Sequence, residues 1–126
     1  MKKVSIGIAA LLILSSFLVM WNVSLQESAI MDELAHIPAG YGYLKYFDYR
    51  LNPEHPPLVK LLSAVPLVFM DLKFPLESNA WKNDVNGQWA VGAQFLYQAG
   101  NDADEIIKWA RVGPIVLTLI LIAFVY

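Results

Sequence analysis

Two adjacent carboxylates, Asp32 and Glu33, followed by His36, are the first residues in this chain whose types and spacing could do chemistry. Asp32 and His36 stand at i and i+4, so on a helix they share one face. A second group follows in Asp48, Arg50, Glu54, His55 and Lys60. A carboxylate outside a membrane can serve as general base for a hydroxyl acceptor when burial or a neighbour raises its pKa. Carboxylates with histidines also supply the oxygen and nitrogen ligands of a divalent cation, and Glu33, His36, Glu54 and His55 are the candidates for that role. Each residue has a plainer reading as well. Acidic side chains favour the positive end of a helix, and His55 could simply occupy a turn. Arg50 and Lys60 are of a type that stays solvated or snorkels, and only context makes them phosphate binders.

The elements that must position these groups are few. Asn52-Pro53-Glu54-His55-Pro56-Pro57-Leu58 holds three prolines in five positions. Proline fixes φ and pushes the preceding residue out of the helical region, so a stiff connector is expected around His55. Ahead of it, Gln26 to Gly40 reads as a helix with Ser28 as N-cap, bent or ended by Pro38 and Gly40. The aromatic residues Tyr41, Tyr43, Tyr46, Phe47 and Tyr49 suit a membrane–water boundary. After the connector, Leu58 to Met70 carries only Lys60 as a charge and is too short to span a bilayer. It reads as an interfacial or re-entrant helix bent at Pro66. Asp71 to Gln88 is loop-like, and Trp89 to Gln98 reads as a short helix closed by Gly100.

Both ends of the chain are apolar. Val4 to Val23 is twenty residues without a charge, enough to cross a bilayer core of about 30 Å. A cleaved signal peptide is the rival reading, but the run exceeds a usual signal core and no small-residue cleavage pattern follows promptly. With Lys2 and Lys3 on the cytoplasmic side, residues 24–110 are delivered outside the cell membrane. That segment carries all eleven Asp and Glu and six of the nine Lys and Arg. Asp102, with Glu105 three residues on, caps a last helix that runs through Trp109 and Arg111 into Val112 to Tyr126. Those final fifteen residues give roughly 22 Å of helix, short of the core. The expectation is therefore the N-terminal part of a longer multi-pass protein. Residues 1–23 form a cytoplasmic tip and first transmembrane helix, 24–110 an extracytoplasmic loop, and 111–126 the start of a second transmembrane helix. The fold class expected is mainly α and membrane-bound, with short amphipathic helices in the loop.

Composition agrees. Apolar residues make up 57% of the chain, mean hydropathy is +0.47 and net charge is −2, which offers no basic field for nucleic acid. The absence of cysteine excludes disulfides and cysteine-based zinc sites.

Asp32-Glu33-x-x-His36, then Gly40, Tyr43 and Asp48, then His55-Pro56-Pro57-Leu58-x-Lys60-Leu61-Leu62, resembles the first lumenal loop of the protein O-mannosyltransferases. It is similar too to their bacterial relatives, the GT-C glycosyltransferases that use a polyprenyl-phosphate sugar. Asp104 to Arg111, opening the last helix, matches the end of that loop. The resemblance covers nearly all of this chain but only the first portion of such an enzyme. It implies an inverting, metal- or cation-assisted sugar transfer from the lipid-linked donor to a hydroxyl acceptor (protein, lipid or glycan). It implies Asp32 as base, with Glu33 supporting it or binding acceptor or metal. It places Arg50, His55 and Lys60 on the donor-phosphate or metal side, and a divalent ion is the candidate cofactor. Alone, these 126 residues are expected to be inactive. The alternative is a small non-enzymatic membrane protein whose outer loop binds a partner or lipid.

Overall fold

The computed structural model describes residues 2–125. Met1, Tyr126 and the side chains of Lys2, Lys3 and Val4 lie outside the described residues, and the expected orientation rests on the two lysines. Seven α-helices follow one another with no strand among the described residues: α1 (Lys2–Ser24), α2 (Met31–Tyr46), α3 (Pro57–Ala64), α4 (Asn79–Lys82), α5 (Gln88–Ala93), α6 (Ala103–Ala110) and α7 (Val112–Val125). A 3-10 turn at Leu67–Phe69 and a π-helical turn at Gln94–Gln98 complete the order.

Two stretches are long and apolar enough to cross a membrane, Ser5–Ser24 and Ala103–Val125. The second exceeds the fifteen residues read from sequence because α6 and α7 run nearly as one helix. Arg111 N–H donates to Ile107 and Ile115 N–H donates to the Arg111 carbonyl, so the i to i−4 pattern passes through the junction. Asp102 caps α6 by accepting from Glu105 N–H at 3.1 Å, as the sequence indicated. The reciprocal half of that capping box is missing, because the Glu105 carboxylate turns to Lys108 and Trp109.

Between the apolar helices lies a helical domain built around α2. That helix begins at Met31, not Gln26, and continues through Pro38 and Gly40 to Tyr46. Two local facts explain the difference. Glu33 accepts from Ile30 N–H at 3.0 Å and so supplies the acceptor at the helix start, leaving Ser28 outside the helix. Pro38 has no N–H for the Leu34 carbonyl, and that oxygen lies against the backbone of α5. A Cβ on Gly92 would sit 1.9 Å from it. On the other side of α2, a Cβ on Gly40 would lie 2.1 Å from the Lys60 carbonyl oxygen. The two glycines let α5 and α3 approach α2 at backbone distance.

The core has two parts. Ile37, Tyr41, Leu67, Phe95, Leu96, Ile106, Ile107 and Ala110 form one, and Ala39, Tyr43, Leu51, Ala80, Trp81 and Val91 the other. Tyr41 and Tyr43 are thus buried, 1% and 2% exposed, rather than set at a boundary with lipid. Tyr41 stacks on Phe74 and Phe95, and Tyr43 on Tyr49. They alternate with Gly40 and Gly42, so their rings have room on the inner faces of α2. The segment after the connector is amphipathic: Lys60, Ser63, Ala64 and Leu67 face inward, while Leu58, Val65 and Phe69 are exposed.

Candidate functional site

Glu33 and Arg111 meet where α1, α2 and the α6–α7 junction converge. Arg111 Nε and Nη2 reach the two Glu33 oxygens at 2.7 and 2.8 Å. Nη1 donates to the Ser24 and Glu27 carbonyls at 3.0 and 2.8 Å, and Nη2 donates to that of Ser28 at 2.9 Å. A guanidinium has five N–H protons in a fixed fork, and here every one has an acceptor. Ser24 closes α1, so its carbonyl is among those that no intrahelical donor satisfies. Both members of the pair are largely enclosed. Glu33 is therefore anchored by this pair and by the start of its own helix.

Asp32, one residue earlier, is in the opposite condition. It is exposed at the first turn of α2 and makes no hydrogen bond among the described residues. The helix N-terminus favours its negative charge.

The connector brings the second group against α2. Asn52 takes a left-handed conformation, φ 50°, which asparagine tolerates better than most residues. Lys60, 2% exposed, reaches back from α3 to hold it. Its Nζ lies 2.6 Å from the Asn52 carbonyl, 2.9 Å from Asn52 Oδ1, 2.8 Å from the His55 carbonyl and 3.0 Å from the Tyr43 hydroxyl. Tyr43 in turn donates to the Leu51 carbonyl. Burial pushes the Lys60 ammonium below its ordinary pKa, with the Glu54 charge opposing. Glu54 accepts from Gln88 Nε2 at 2.8 Å and from Asn86 Nδ2 at 3.2 Å. Hydrogen bonds from its own backbone N–H and then from Gln88 hold its carboxyl below the usual range.

His36 and His55 face each other across the gap between α2 and the connector, ring centres 5.3 Å apart and planes at 74°. His36 sits below its ordinary pKa, first through burial and then through the positive charges of His55 and Lys60. Asp32 and Glu54 pull the other way. A cavity of about 110 Å³ adjoins this contact, lined by Glu33, His36, Val59, Lys60, Ser63 and Arg111 among others. A wider groove of about 400 Å³ runs between α1 and α7, walled by Val19, Val23, Pro114 and Ile115, and ends on Glu33 and Arg111.

Of the residues singled out in the sequence, Asp32, Glu33, His36, His55 and Lys60 are gathered around the start of α2 and the connector. Arg50 points elsewhere. It pairs with Asp48 at 2.7 Å, donates to the Trp81 carbonyl at 2.9 Å and lies over the Trp81 ring. That pairing holds the Asp48 carboxyl below its ordinary value. Glu54 faces the amides of Asn86 and Gln88, and among the described residues no three histidine or carboxylate side chains form a ready metal cluster. Sequence reading missed Arg111 as a partner of Glu33, and missed Tyr43, Asn52, Asn86 and Gln88 as the frame of the connector. The signals for Arg111 were its place as a lone cation at the head of an apolar helix and at the end of the stretch that resembles the family's loop, and neither names its partner.

No protein-family model, curated protein or solved structure matches this chain.

Proposed function

We propose that this chain forms the N-terminal portion of a membrane-embedded glycosyltransferase of the GT-C kind, which moves a sugar from a polyprenyl-phosphate carrier to a hydroxyl acceptor. The observation that carries the reading is the contrast between neighbouring carboxylates. Glu33 is held by two hydrogen bonds from Arg111, while Asp32 is exposed and free of hydrogen bonds among the described residues. An acid–base group needs an accessible lone pair held by a rigid support, and Asp32 on the first turn of an anchored helix meets that need.

In this reading α1 crosses the bilayer, α7 enters it, and residues 24–110 face the periplasm or cell exterior. The acceptor hydroxyl gives its proton to Asp32 while its oxygen attacks the anomeric carbon. The bond from that carbon to the phosphate oxygen breaks, and polyprenyl phosphate leaves with the electron pair. Exposed Leu58, Val65 and Phe69 would rest α3 and the turn after it against the lipid headgroups, where the carrier's phosphate lies. His55, exposed on the connector, is the candidate contact to that phosphate. Lys60 adds positive field from inside rather than a direct bond, since its three protons are already shared among four protein oxygens. Arg50, turned to Asp48 and Trp81, is the weakest of the three for this role.

The test is transfer from a radiolabelled polyprenyl-phosphate hexose in membranes carrying the complete enzyme. Asp32→Asn should abolish transfer while leaving membrane insertion unchanged, and turnover at the wild-type rate would remove Asp32 as base. A topology reporter fused near residue 50 should read outside the cytosol. A cytosolic signal would overturn the whole reading.

A further inference from the structure

We infer that the notch between the end of α3 and α7 seats one hydrocarbon chain of a bilayer phospholipid, which places that end of α3 below the lipid headgroups. Leu62, Val65 and Pro66 form one wall and Val116, Leu117 and Ile120 the other, around a volume of about 240 Å³. No charged or polar side chain lines it. The two helices touch at Gly113, whose missing Cβ leaves room for the Leu62 carbonyl, and the notch extends from there to Ile120.

The occupant follows from where the notch lies. Its α7 wall belongs to the Ala103–Val125 stretch, which is long and apolar enough to cross a membrane. Val116 and Ile120 lie beyond Arg111 by about 7 and 13 Å along the helix. The face of α3 that carries the other wall is uncharged. Leu58, Leu62 and Val65 recur on it at helical spacing, while Lys60 is buried. The backbone agrees. Hydrocarbon offers a bare N–H no partner, and at this turn Pro66 has none to satisfy. The Val65 and Phe69 N–H groups donate to the Leu61 and Pro66 carbonyls. The Leu62 carbonyl, deprived of its helical donor by Pro66, lies against Gly113. Water in the notch would wet apolar walls on both sides, which the hydrophobic effect opposes. One turn of a further helix, about 10 Å across and 5.4 Å tall, occupies more than the notch offers, whereas a single hydrocarbon chain is slender enough to enter. With no charge in its walls, the notch does not select a headgroup.

This inference rests on the membrane part of the reading above and on none of its transfer chemistry. The chain has no cysteine, so Val65→Cys, Phe124→Cys and Val85→Cys can each carry one bimane fluorophore. All three positions are exposed, and helical circular dichroism checks that the fold is kept. The full chain would be reconstituted in phosphatidylcholine vesicles that carry a nitroxide at mid-chain, with iodide as the quencher in water. The nitroxide should quench the label at Val65→Cys as it does at Phe124→Cys, while iodide reaches only Val85→Cys. Adding Val116→Phe, which fills the notch, should cut nitroxide quenching at Val65→Cys at least about twofold and leave Phe124→Cys unchanged. Exchanging part of the phosphatidylcholine for anionic phosphatidylglycerol should alter neither. If Phe124→Cys is quenched from the lipid but Val65→Cys from water, α7 stays in the bilayer and the notch inference falls. It falls as well if Val116→Phe leaves quenching at Val65→Cys unchanged. Iodide quenching at Phe124→Cys would remove the membrane reading and this inference with it.

Discussion

Lys60 and Arg111 each hold a part of the molecule together from inside, and the two parts differ. Lys60 closes a local turn, with acceptors five to seventeen residues away in sequence. Arg111 joins segments 78 to 87 residues apart. Among the described residues no carboxylate lies within bonding distance of the ammonium, which rests on neutral oxygens, and burial lowers its pKa. The guanidinium carries its counter-charge with it in Glu33. A rigid planar fork suits a junction where several chain segments must meet at set angles, and a compact ammonium suits a pocket of carbonyls on one turn. The comparison teaches that one buried cation orders the connector, whereas the other orders the meeting of the two apolar helices.

Breaking the second should cost more. Arg111→Ala leaves Glu33 enclosed without its counter-charge and removes a donor from three carbonyls, and should destabilise the fold by about 3–5 kcal/mol. Denaturation in detergent micelles reads the loss, and hydrogen exchange should rise first at residues 24–31. Arg111→Lys should restore only part of it, since an ammonium cannot reproduce the fork. Lys60→Met keeps the apolar stem and removes the donor from four oxygens, for an expected loss of about 1–3 kcal/mol. Exchange there should rise at residues 51–56 and leave the α1–α7 contact untouched. If Lys60→Met loosened residues 24–31 as much as Arg111→Ala does, the two cations would not act on separate parts.

The partly exposed pair Arg50–Asp48 sharpens the contrast as the small case. Asp48→Asn should cost less than about 1 kcal/mol at neutral pH. The folded Asp48 pKa lies below the unfolded value, so the unfolded chain binds more protons in that interval. Its contribution is full above the unfolded carboxyl pKa and vanishes as pH falls through the folded one. Stability curves of the wild type and Asp48→Asn should therefore converge in acid. Curves that stay parallel to the lowest pH would remove this ion pair from the account.

What the sequence revealed follows the range of the interactions. The start of α6 was legible because Asp102 and Glu105 are three residues apart. The turn around His55 was legible because proline acts on its neighbours. Continuation of α2 through Pro38 was not, since Gly92, whose backbone packs against the Leu34 oxygen, is on another helix. Tyr41 and Tyr43 read as boundary residues because tyrosine serves both settings, and only the packing of Phe74, Phe95 and Tyr49 decides between them. Among the candidate residues, the Asp32–Glu33 doublet was visible at once. The division between a free and an anchored member was not, because it depends on a residue 78 positions away.

The clasp around Arg111 also acts as a key for the helix that bears it. Advancing by one residue turns an α-helix through about 100°, and no such turn would return five differently placed protons to five acceptors. Gly113, two positions on, faces the Leu62 carbonyl, where a Cβ would come within 2.3 Å. Rotation would swing a bulkier side chain into that gap. The rotational setting of α7, and so the side it offers to α1, is chosen at the domain before the apolar run begins.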